Sequence, residues 1–332
     1  MKKHCLVVIV ALSLLLSACS LRGDDAGQPS DSQGQDMEAT DIYDISWKEI
    51  TGTGNNLTSF FTTENGIFGL GASDDDSRHL YAAVKEDIWQ GKSAYLNVKM
   101  LGLDTAADRG QLIVFAGMGD VFYTVEEQIG DAPVYYLCKY DVNGNRQQEN
   151  DITEVWGTEV SILFAAAADS EGRVYLSRGR EDGSGNSVLV LDSEGTLLTD
   201  IRAEGVVVTR LAAMDNRAYC VIQRDGEDVL CRANAENGLL QEEITLTEGR
   251  GNVKMMSADT GSLWISDYEG VKEYQPETGE LRALFSWTDI GISGSDVEAI
   301  LVQDESHIGA VVVREGKQYY LVMREKGTNG QA

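Results

Sequence analysis

The feature that most constrains the fold of this chain is a repeat of about 45 to 54 residues that starts near Asp41. Each unit has an apolar strand, a turn, and a second strand that opens on a large apolar side chain. The aromatic residues in this position are 54, 53, 44 and 45 residues apart; they are Phe68, Phe122, Tyr175, Tyr219 and Trp264. A second turn follows, as in Asp141–Gly144 and Asp192–Gly195, where Asp can brace the turn and Gly can supply a positive φ. Each unit therefore predicts about four strands joined by hairpins.

Four-stranded units at this period are typical of a β-propeller. We count six units and predict an all-β propeller of about six four-stranded blades over residues 41–326. The last unit, 296–324, contains only three clear strands, whereas a strand-like segment at 42–50 precedes the first unit. We therefore predict that the N-terminal strand closes the last blade, which would remove an exposed edge.

The composition excludes several classes of protein. The chain of 332 residues has 54 acidic and 27 basic side chains and a formal net charge of −27. Nucleic-acid binding as a main function is excluded, because it needs clustered Lys and Arg. A hydrophobic fraction of 42% and 35 Gly against 3 Pro fit a globular protein with many tight turns. They exclude a disordered chain, a coiled coil and a multispan membrane protein.

The N-terminus has the form of a secretory signal. Lys2 and Lys3 precede an apolar run, Cys5 to Leu16, which is too short to cross a bilayer as a helix. The run ends in Leu16-Ser17-Ala18-Cys19, which resembles the lipobox of bacterial lipoproteins. The resemblance implies that residues 1–18 are removed and that Cys19 carries the lipid; an uncleaved anchor or an ordinary cleavage site is the alternative.

The segment that follows Cys19 is polar and acidic. Residues 19–40 have almost no large apolar side chains, so we expect a flexible tether between the lipid and the folded body. We expect a polar tail or linker at 327–332. Together these features predict a protein held by its lipid on the outer face of the cell membrane, with a Gram-positive source favoured.

One repeat carries recognisable motifs. Residues 257–281 resemble a repeat of the two-component-regulator propeller family, and Ser257, Asp259, Gly261 and Trp264 also match the sialidase Asp-box. Both resemblances cover one repeat of six. We interpret the motif as structural, with Asp capping a hairpin, Gly turning it and Trp packing between blades.

The whole arrangement resembles a family of clostridial lipoproteins. A lipobox, an acidic tether and degenerate repeats ending near Phe285–Asp289 and Val297–Ile300 look like the propeller that precedes the extracellular solute-binding domain of an ABC importer in that family. This sequence departs from the pattern, because no solute-binding lobes follow the repeats. We expect either a truncated form or a stand-alone relative.

No local motif for catalysis is found. No His or Cys pair has the spacing of zinc ligands, and neither Gly-x-Ser-x-Gly nor a phosphate-binding loop occurs. The run from Asp141 begins like a calcium loop, but Arg146 and Ile152 stand where Gly and Glu are needed. We therefore expect no catalytic residues, no metal and no cofactor, and a protein that is not an enzyme.

Three cysteines remain beyond Cys19. Asp225-Gly226 predicts a two-residue hairpin turn, which places Cys220 opposite Cys231. The geometry of such a hydrogen-bonded pair fits a disulfide poorly. A bridge and two buried free thiols are both left open.

The function we expect is that of a non-catalytic binding module, either alone or as the N-terminal part of a solute-binding lipoprotein. Its partners would be the membrane, through Cys19, and a small-molecule, glycan or protein ligand at the propeller face, with an ABC importer as a further partner. Two alternatives remain. One is a divergent propeller glycoside hydrolase or lyase, favoured by the Asp-box and the many carboxylates; the other is a scaffold for envelope protein assembly.

Overall fold

The computed structural model describes residues 43–326, apart from gaps at 54–56, 64–65, 73–77, 85–87, 89–92, 104–107, 118, 129, 158–161, 180–185, 204, 215, 249–252, 260 and 305–306. The predicted signal peptide, Cys19 with its tether, and the tail at 327–332 lie outside the described residues. Within the described part, no helix is both long enough and apolar enough to cross a membrane.

The described chain is almost entirely β-structure. One helical turn, α1 (Thr153–Trp156), and two 3-10 turns, Trp287–Ile290 and Gly294–Asp296, accompany the strands. In chain order the strands are β1 (Tyr43–Thr51), β2 (Leu57–Thr63), β3 (Gly66–Ala72), β4 (Arg78–Val84), β5 (Tyr95–Asn97), β6 (Lys99–Leu101), β7 (Arg109–Ala116), β8 (Val121–Gln128), β9 (Val134–Asp141), β10 (Arg146–Asp151), β11 (Ile162–Ala168), β12 (Val174–Gly179), β13 (Ser187–Leu191), β14 (Leu197–Arg202), β15 (Val207–Met214), β16 (Arg217–Arg224), β17 (Glu227–Asn234), β18 (Leu239–Glu248), β19 (Met255–Asp259), β20 (Ser262–Ser266), β21 (Gly270–Gln275), β22 (Glu280–Ser286), β23 (Val297–Asp304), β24 (His307–Arg314) and β25 (Lys317–Glu325).

These strands form six antiparallel blades, as the repeat predicts. Blade 1 contains β2, β3, β4 and β6, and blades 2 to 5 take the next sixteen strands in groups of four, from β7 to β22. Blade 6 contains β23, β24 and β25 and is completed by β1 from the N-terminal end. The predicted six-bladed propeller and its closure by the N-terminal strand are both confirmed.

The first strand of each blade lies innermost, and these strands contact one another in order around the ring, with β23 of blade 6 contacting β2 of blade 1. A hydrophobic core lies between each neighbouring pair of blades, so the ring has six cores. Strand β16 shows how one blade contributes to the core on each of its two sides. Cys220 and Ile222 belong to the core with blade 3, whereas Tyr219 and Val221 belong to the core with blade 5. Successive side chains of a strand point to opposite faces, so one strand serves two cores.

The hairpins alternate between the two ends of the propeller. We call the end at which the innermost strands begin the mouth end, and the opposite end the far end. Turns between the second and third strands lie at the mouth end, and turns between the third and fourth strands lie at the far end. Gly144 and Gly195 have φ of +83° and +79° in the predicted Asp-Gly turns of the far end. The Asp192 carboxylate accepts the backbone N–H groups of Glu194 and Thr196 there, which confirms the predicted brace.

The ring is closed by more pairing than the sequence predicts. Strand β1 pairs antiparallel with β25, from Tyr43 opposite Glu325 to Glu49 opposite Tyr319. The short strand β5 then adds in parallel to β1, and β6, two residues further on, pairs with β4 of blade 1. Leu96 and Val98 of this segment are buried in the core between blades 6 and 1. One segment therefore ties the last blade to the first.

The described cysteines are free and buried. Asp225 and Gly226 both have positive φ, as a type I′ hairpin turn requires, and Cys220 lies opposite Cys231 as predicted. Neither forms a disulfide, nor does Cys138. The structure therefore has the free-thiol arrangement of the two that the sequence leaves open.

Candidate functional site

The innermost strands share a local irregularity at the mouth end. Five of the six show a register shift near their first residues, in the described pairings of β2, β7, β11, β15 and β23. A residue in such a β-bulge has no partner across the ladder, and its side chain is redirected; bulges of this kind are over-represented next to active sites. The residues without a ladder partner are Ser59 and Phe60 in β2, Leu112 in β7, Phe164 in β11, Thr209 in β15 and Glu298 in β23.

Blade 5 contributes a lysine at the corresponding place. Lys254 directly precedes β19, and its backbone N–H donates to the Ser266 carbonyl at 2.8 Å. We call the six positions at the mouth end, one per blade, the mouth ring: Ser59, Leu112, Phe164, Thr209, Lys254 and Glu298. The order of the blades places Phe164 across the axis from Glu298. Leu112 and Phe164 make one arc of the mouth ring apolar, and the remaining positions make the other arc polar.

Glu298 is the acidic member of the mouth ring. It is exposed between the buried residues Val297 and Ala299. These two neighbours pack into the cores on either side of β23, and β24 covers one edge of the strand. The Glu298 carboxylate is directed to the seam with blade 1, where the Gln318 amide also bonds Leu57. It accepts a hydrogen bond from Nε2 of Gln318.

The protein around Glu298 alters its acidity. Partial burial raises the pKa of the Glu298 carboxyl, and the Gln318 hydrogen bond and the positive charge of Lys254 act in the opposite direction. A solvent-accessible carboxylate with a raised pKa is a stronger base than an ordinary glutamate, which suits the role of a general base.

Lys254 is held in place by the next blade. Its Nζ donates to the carbonyls of Gly294 at 2.6 Å and Val297 at 3.2 Å, and it lies 4.4 Å from the centroid of the Tyr268 ring. Burial lowers the pKa of Lys254, while the charges of Asp296 and Glu298 raise it. The ammonium group has three donors, of which these two carbonyls take two.

A second cation lies beside Lys254. Arg210, next to the bulge in β15, donates from Nε to the Lys254 carbonyl and from Nη1 to the Thr209 carbonyl, the latter at 2.7 Å. Burial lowers the pKa of its guanidinium. An arginine side chain nevertheless stays charged in proteins. Two carbonyls leave several of its five N–H donors for another partner. The nearby Asp228 is 1% exposed and accepts the Val253 N–H at 2.9 Å.

Arg210 differs from most arginines in this acidic chain. Eight others form ion pairs with carboxylates: Arg109, Arg146, Arg173, Arg178, Arg217, Arg224, Arg232 and Arg282. Among the described residues, no carboxylate lies within ion-pair distance of Arg210. The chain has twice as many acidic as basic side chains, so carboxylate partners are plentiful. A partly buried guanidinium that forms no ion pair with a described carboxylate is suited to bind an anion from outside the chain.

The described residues contain no group of three or more His, Cys, Asp or Glu side chains that could hold a metal ion. The mouth ring itself contributes one carboxylate. The chemistry that these side chains can perform directly is anion binding by Arg210 and Lys254 and proton transfer by Glu298.

The predicted Asp-box lies away from this site. Ser257 pairs with Trp264 across the first hairpin of blade 5, and Gly261 turns that hairpin with a φ of +90°. Trp264 is buried in the core between blades 5 and 6. The turn lies at the far end, since it joins the first and second strands. Asp259 lies in β19, and its side chain falls outside the described residues, as does Cys19.

A register within the repeat would have located four of the six mouth-ring residues from the sequence. Leu112, Thr209 and Lys254 each stand ten residues before an aromatic anchor, namely Phe122, Tyr219 and Trp264. Glu298 stands ten residues before Ile308, which occupies the anchor position of blade 6. A search for contiguous motifs cannot find a site that takes one residue from each repeat.

Comparison with known proteins gives the fold but no sequence family. No protein-family model and no curated protein matches the sequence. Solved structures do match. A protein assigned as a gluconolactonase is 13% identical, with a TM-score of 0.55, over 88% of this chain and 98% of that one.

Two further structures match to a similar degree. An oligogalacturonate lyase in complex with manganese is 11% identical, with a TM-score of 0.53, over 84% of this chain and 79% of that one. The PQQ-bound aldose sugar dehydrogenase of Streptomyces coelicolor is 11% identical, with a TM-score of 0.51, over 85% of this chain and 99% of that one. At these identities the likeness shows the fold alone.

The prediction that this chain is not an enzyme is wrong as judged by these neighbours, which are described as a lactonase, a lyase and a dehydrogenase. The prediction rested on the absence of a local catalytic motif. A propeller site assembled from one residue per blade leaves no such motif, so its absence carried no weight.

Proposed function

We propose that this protein is a carbohydrate-active enzyme, a lyase that acts on acidic glycans at the mouth of its propeller. The observation that carries the proposal is the exposed Glu298 carboxylate on an innermost strand, with its raised pKa, close enough to Lys254 for their charges to interact, while Arg210 bonds the Lys254 carbonyl. Of the alternatives that the sequence leaves open, the enzyme is also the one that the fold neighbours favour.

These groups suit β-elimination from a sugar that carries a carboxylate. Lys254 and Arg210 would bind the sugar carboxylate and stabilise the negative charge that builds up on it when the adjacent carbon loses its proton. Glu298 would take that proton. The electron pair of the broken C–H bond then forms a C=C bond, the C–O bond to the neighbouring sugar breaks, and the departing oxygen takes a proton from water. The hydroxide left by that water takes the proton from Glu298 and restores the carboxylate.

A hydrolase fits the site less well. Glycoside hydrolases use two carboxyl groups on opposite sides of the scissile bond. Glu298 is the carboxylate that the mouth ring provides, and Asp228 is buried and bound to a backbone N–H. Asp296 closely precedes Glu298 in the sequence, but it lines a separate pocket on blade 6. One base with two cations is the arrangement that elimination needs.

The apolar arc of the mouth ring would receive the sugar ring itself. Phe164 is half-buried at the mouth, across the axis from Glu298. Aromatic side chains stack on the C–H faces of sugars, which places an apolar contact opposite the polar arc. A glycan seated this way would present its carboxylate to Lys254 and Arg210.

The test is a screen of the purified protein against uronate-containing polysaccharides with two readouts. The ultraviolet absorbance of an unsaturated uronate product reports elimination, and new reducing ends report cleavage of either kind. We expect both signals from the wild type, neither from Glu298→Gln, and both from Glu194→Gln, whose exposed carboxylate lies at the far end. Reducing ends without absorbance would indicate a hydrolase instead. Activity retained in Glu298→Gln would show that catalysis does not depend on this site.

We further propose that the enzyme is attached to the outer face of the cell membrane by lipid on Cys19. The lipobox-like run Leu16 to Cys19 and the acidic segment after it support this location. Metabolic labelling with a tagged fatty acid should mark the wild-type protein and leave Cys19→Ser unlabelled. Equal labelling of both proteins would contradict the assignment.

A further inference from the structure

A small pocket lies on blade 6, beside the mouth. It has a volume of about 80 Å³ and is lined by residues that include Trp47, Ile292, Asp296, Val312 and Arg314. This is room for a few water molecules, or for the edge of one sugar ring with its carboxylate. The pocket therefore suits part of a longer ligand.

The wall of the pocket has the chemistry of a site for a charged sugar. Trp47 is half-buried and packs edge-on against Tyr319, with ring centroids 5.9 Å apart. Arg314 is exposed, and its guanidinium lies 6.0 Å from the centroid of the Trp47 ring. Asp296 adds a carboxylate that can accept hydrogen bonds from sugar hydroxyl groups.

Arg314 shares the unusual state of Arg210. Among the described residues, no carboxylate lies within ion-pair distance of its side chain, although eight arginines elsewhere form such pairs. Both arginines lie at the mouth end, since Arg314 ends the second strand of blade 6. Arg210 and Arg314 therefore lie at the same end of an acidic protein, and neither forms an ion pair with a described carboxylate. This arrangement favours one anionic ligand that contacts both arginines.

The pocket and the mouth share a loop. Residues 291–297 supply Ile292 and Asp296 to the pocket, and the carbonyls of Gly294 and Val297 to Lys254 Nζ. A chain of sugars that leaves the mouth over this loop therefore reaches Arg314 and Trp47 without crossing another blade.

We propose that this pocket is a second sugar subsite, which binds an acidic sugar unit of the glycan through Arg314 and stacks its ring on Trp47. The inference rests on the proposed function for the identity of the glycan. It adds that the enzyme selects long acidic chains over short ones, because a disaccharide bound at Glu298 and Lys254 would not pass over residues 291–297 to reach Arg314.

The test measures binding of oligogalacturonates to protein that carries Glu298→Gln, so that no turnover interferes. In this background Arg314→Gln should weaken the binding of a long oligogalacturonate by about tenfold, since it removes a hydrogen bond to a charged group. Binding of the disaccharide, and of a long chain whose carboxyl groups have been reduced, should not change. Arg224→Gln is the matched control, because Arg224 also ends the second strand of its blade at the mouth end, before a two-residue turn.

The outcomes separate this inference from the proposed function. An equal loss for long and short chains, or no loss for either, would overturn the subsite. If the wild type cleaves no glycan but Arg314→Gln still weakens the binding of long acidic chains selectively, the subsite stands and the lyase does not. Trp47→Phe keeps an aromatic ring and should retain most of the affinity, which shows that the pocket has stayed folded.

Discussion

Replacing Gln318 by leucine tests how blade 6, blade 1 and the proposed active site are connected. The Gln318 side chain is 4% exposed and bridges the point at which the ring closes. Its Oε1 accepts the Leu57 N–H at 2.7 Å, its Nε2 donates to the Leu57 carbonyl at 2.7 Å, and Nε2 also donates to Glu298. Leu57 is 1% exposed, so water cannot easily replace these bonds.

The expected cost of Gln318→Leu follows from the two backbone groups that it leaves without partners. Each buried, unsatisfied group costs about 1 to 3 kcal/mol, so the free energy of unfolding should fall by about 2 to 6 kcal/mol. Denaturant unfolding measures this change. Gln241→Leu is the control, because Gln241 is exposed on the outermost strand of blade 4. It loses a solvent-exposed hydrogen bond from Arg232 and should change stability by no more than about 0.5 kcal/mol.

The same variant should affect catalysis in a defined direction. The hydrogen bond from Gln318 lowers the pKa of Glu298, so its loss should move the rise of kcat/KM to higher pH. A loss of stability no larger than that of the control would refute the reasoning about ring closure. An unchanged pH profile would refute the link between Gln318 and the proposed base.

Three further predictions concern the base, the turns and the thiols. In the wild type, kcat/KM should rise with pH through the raised pKa of Glu298, because only the ionised carboxylate accepts a proton; a flat profile would contradict this role. Asp192→Ala should lower the free energy of unfolding by about 1 kcal/mol, measured with denaturant, because two turn N–H groups lose their acceptor. Cys138, Cys220 and Cys231 should react with a thiol reagent only after unfolding, since they are buried and burial raises the pKa of Cys231 to about 12. If fewer than these three react after unfolding without a reductant, a disulfide bridge is present.

The sequence predicts the architecture because the architecture repeats. Each blade buries an aromatic or aliphatic anchor on its second strand, such as Phe122 or Trp264, and packing between blades requires this at a fixed place in every unit. The turns are equally local, since Asp192 and Gly195 form their turn within one hairpin. The N-terminal closure follows from the strand missing in the last unit.

The site was missed for a physical reason. Glu298, Lys254 and Arg210 lie more than forty residues apart from one another in sequence, and only the ring brings them to one axis. The bulge that turns Glu298 away from the cores is a property of strand pairing and has no composition of its own. Strand β5, which adds to β1 outside the last blade, was missed because it has three residues and pairs with a distant partner.

The most direct test is a crystal structure of the Glu298→Gln variant with an acidic oligosaccharide. We expect a sugar at the mouth, with its carboxylate within hydrogen-bond distance of Lys254 Nζ and the Arg210 guanidinium, and with its acidic C–H directed at residue 298. A sugar bound at the far end or on an outer strand, with the mouth filled by water alone, would contradict this expectation.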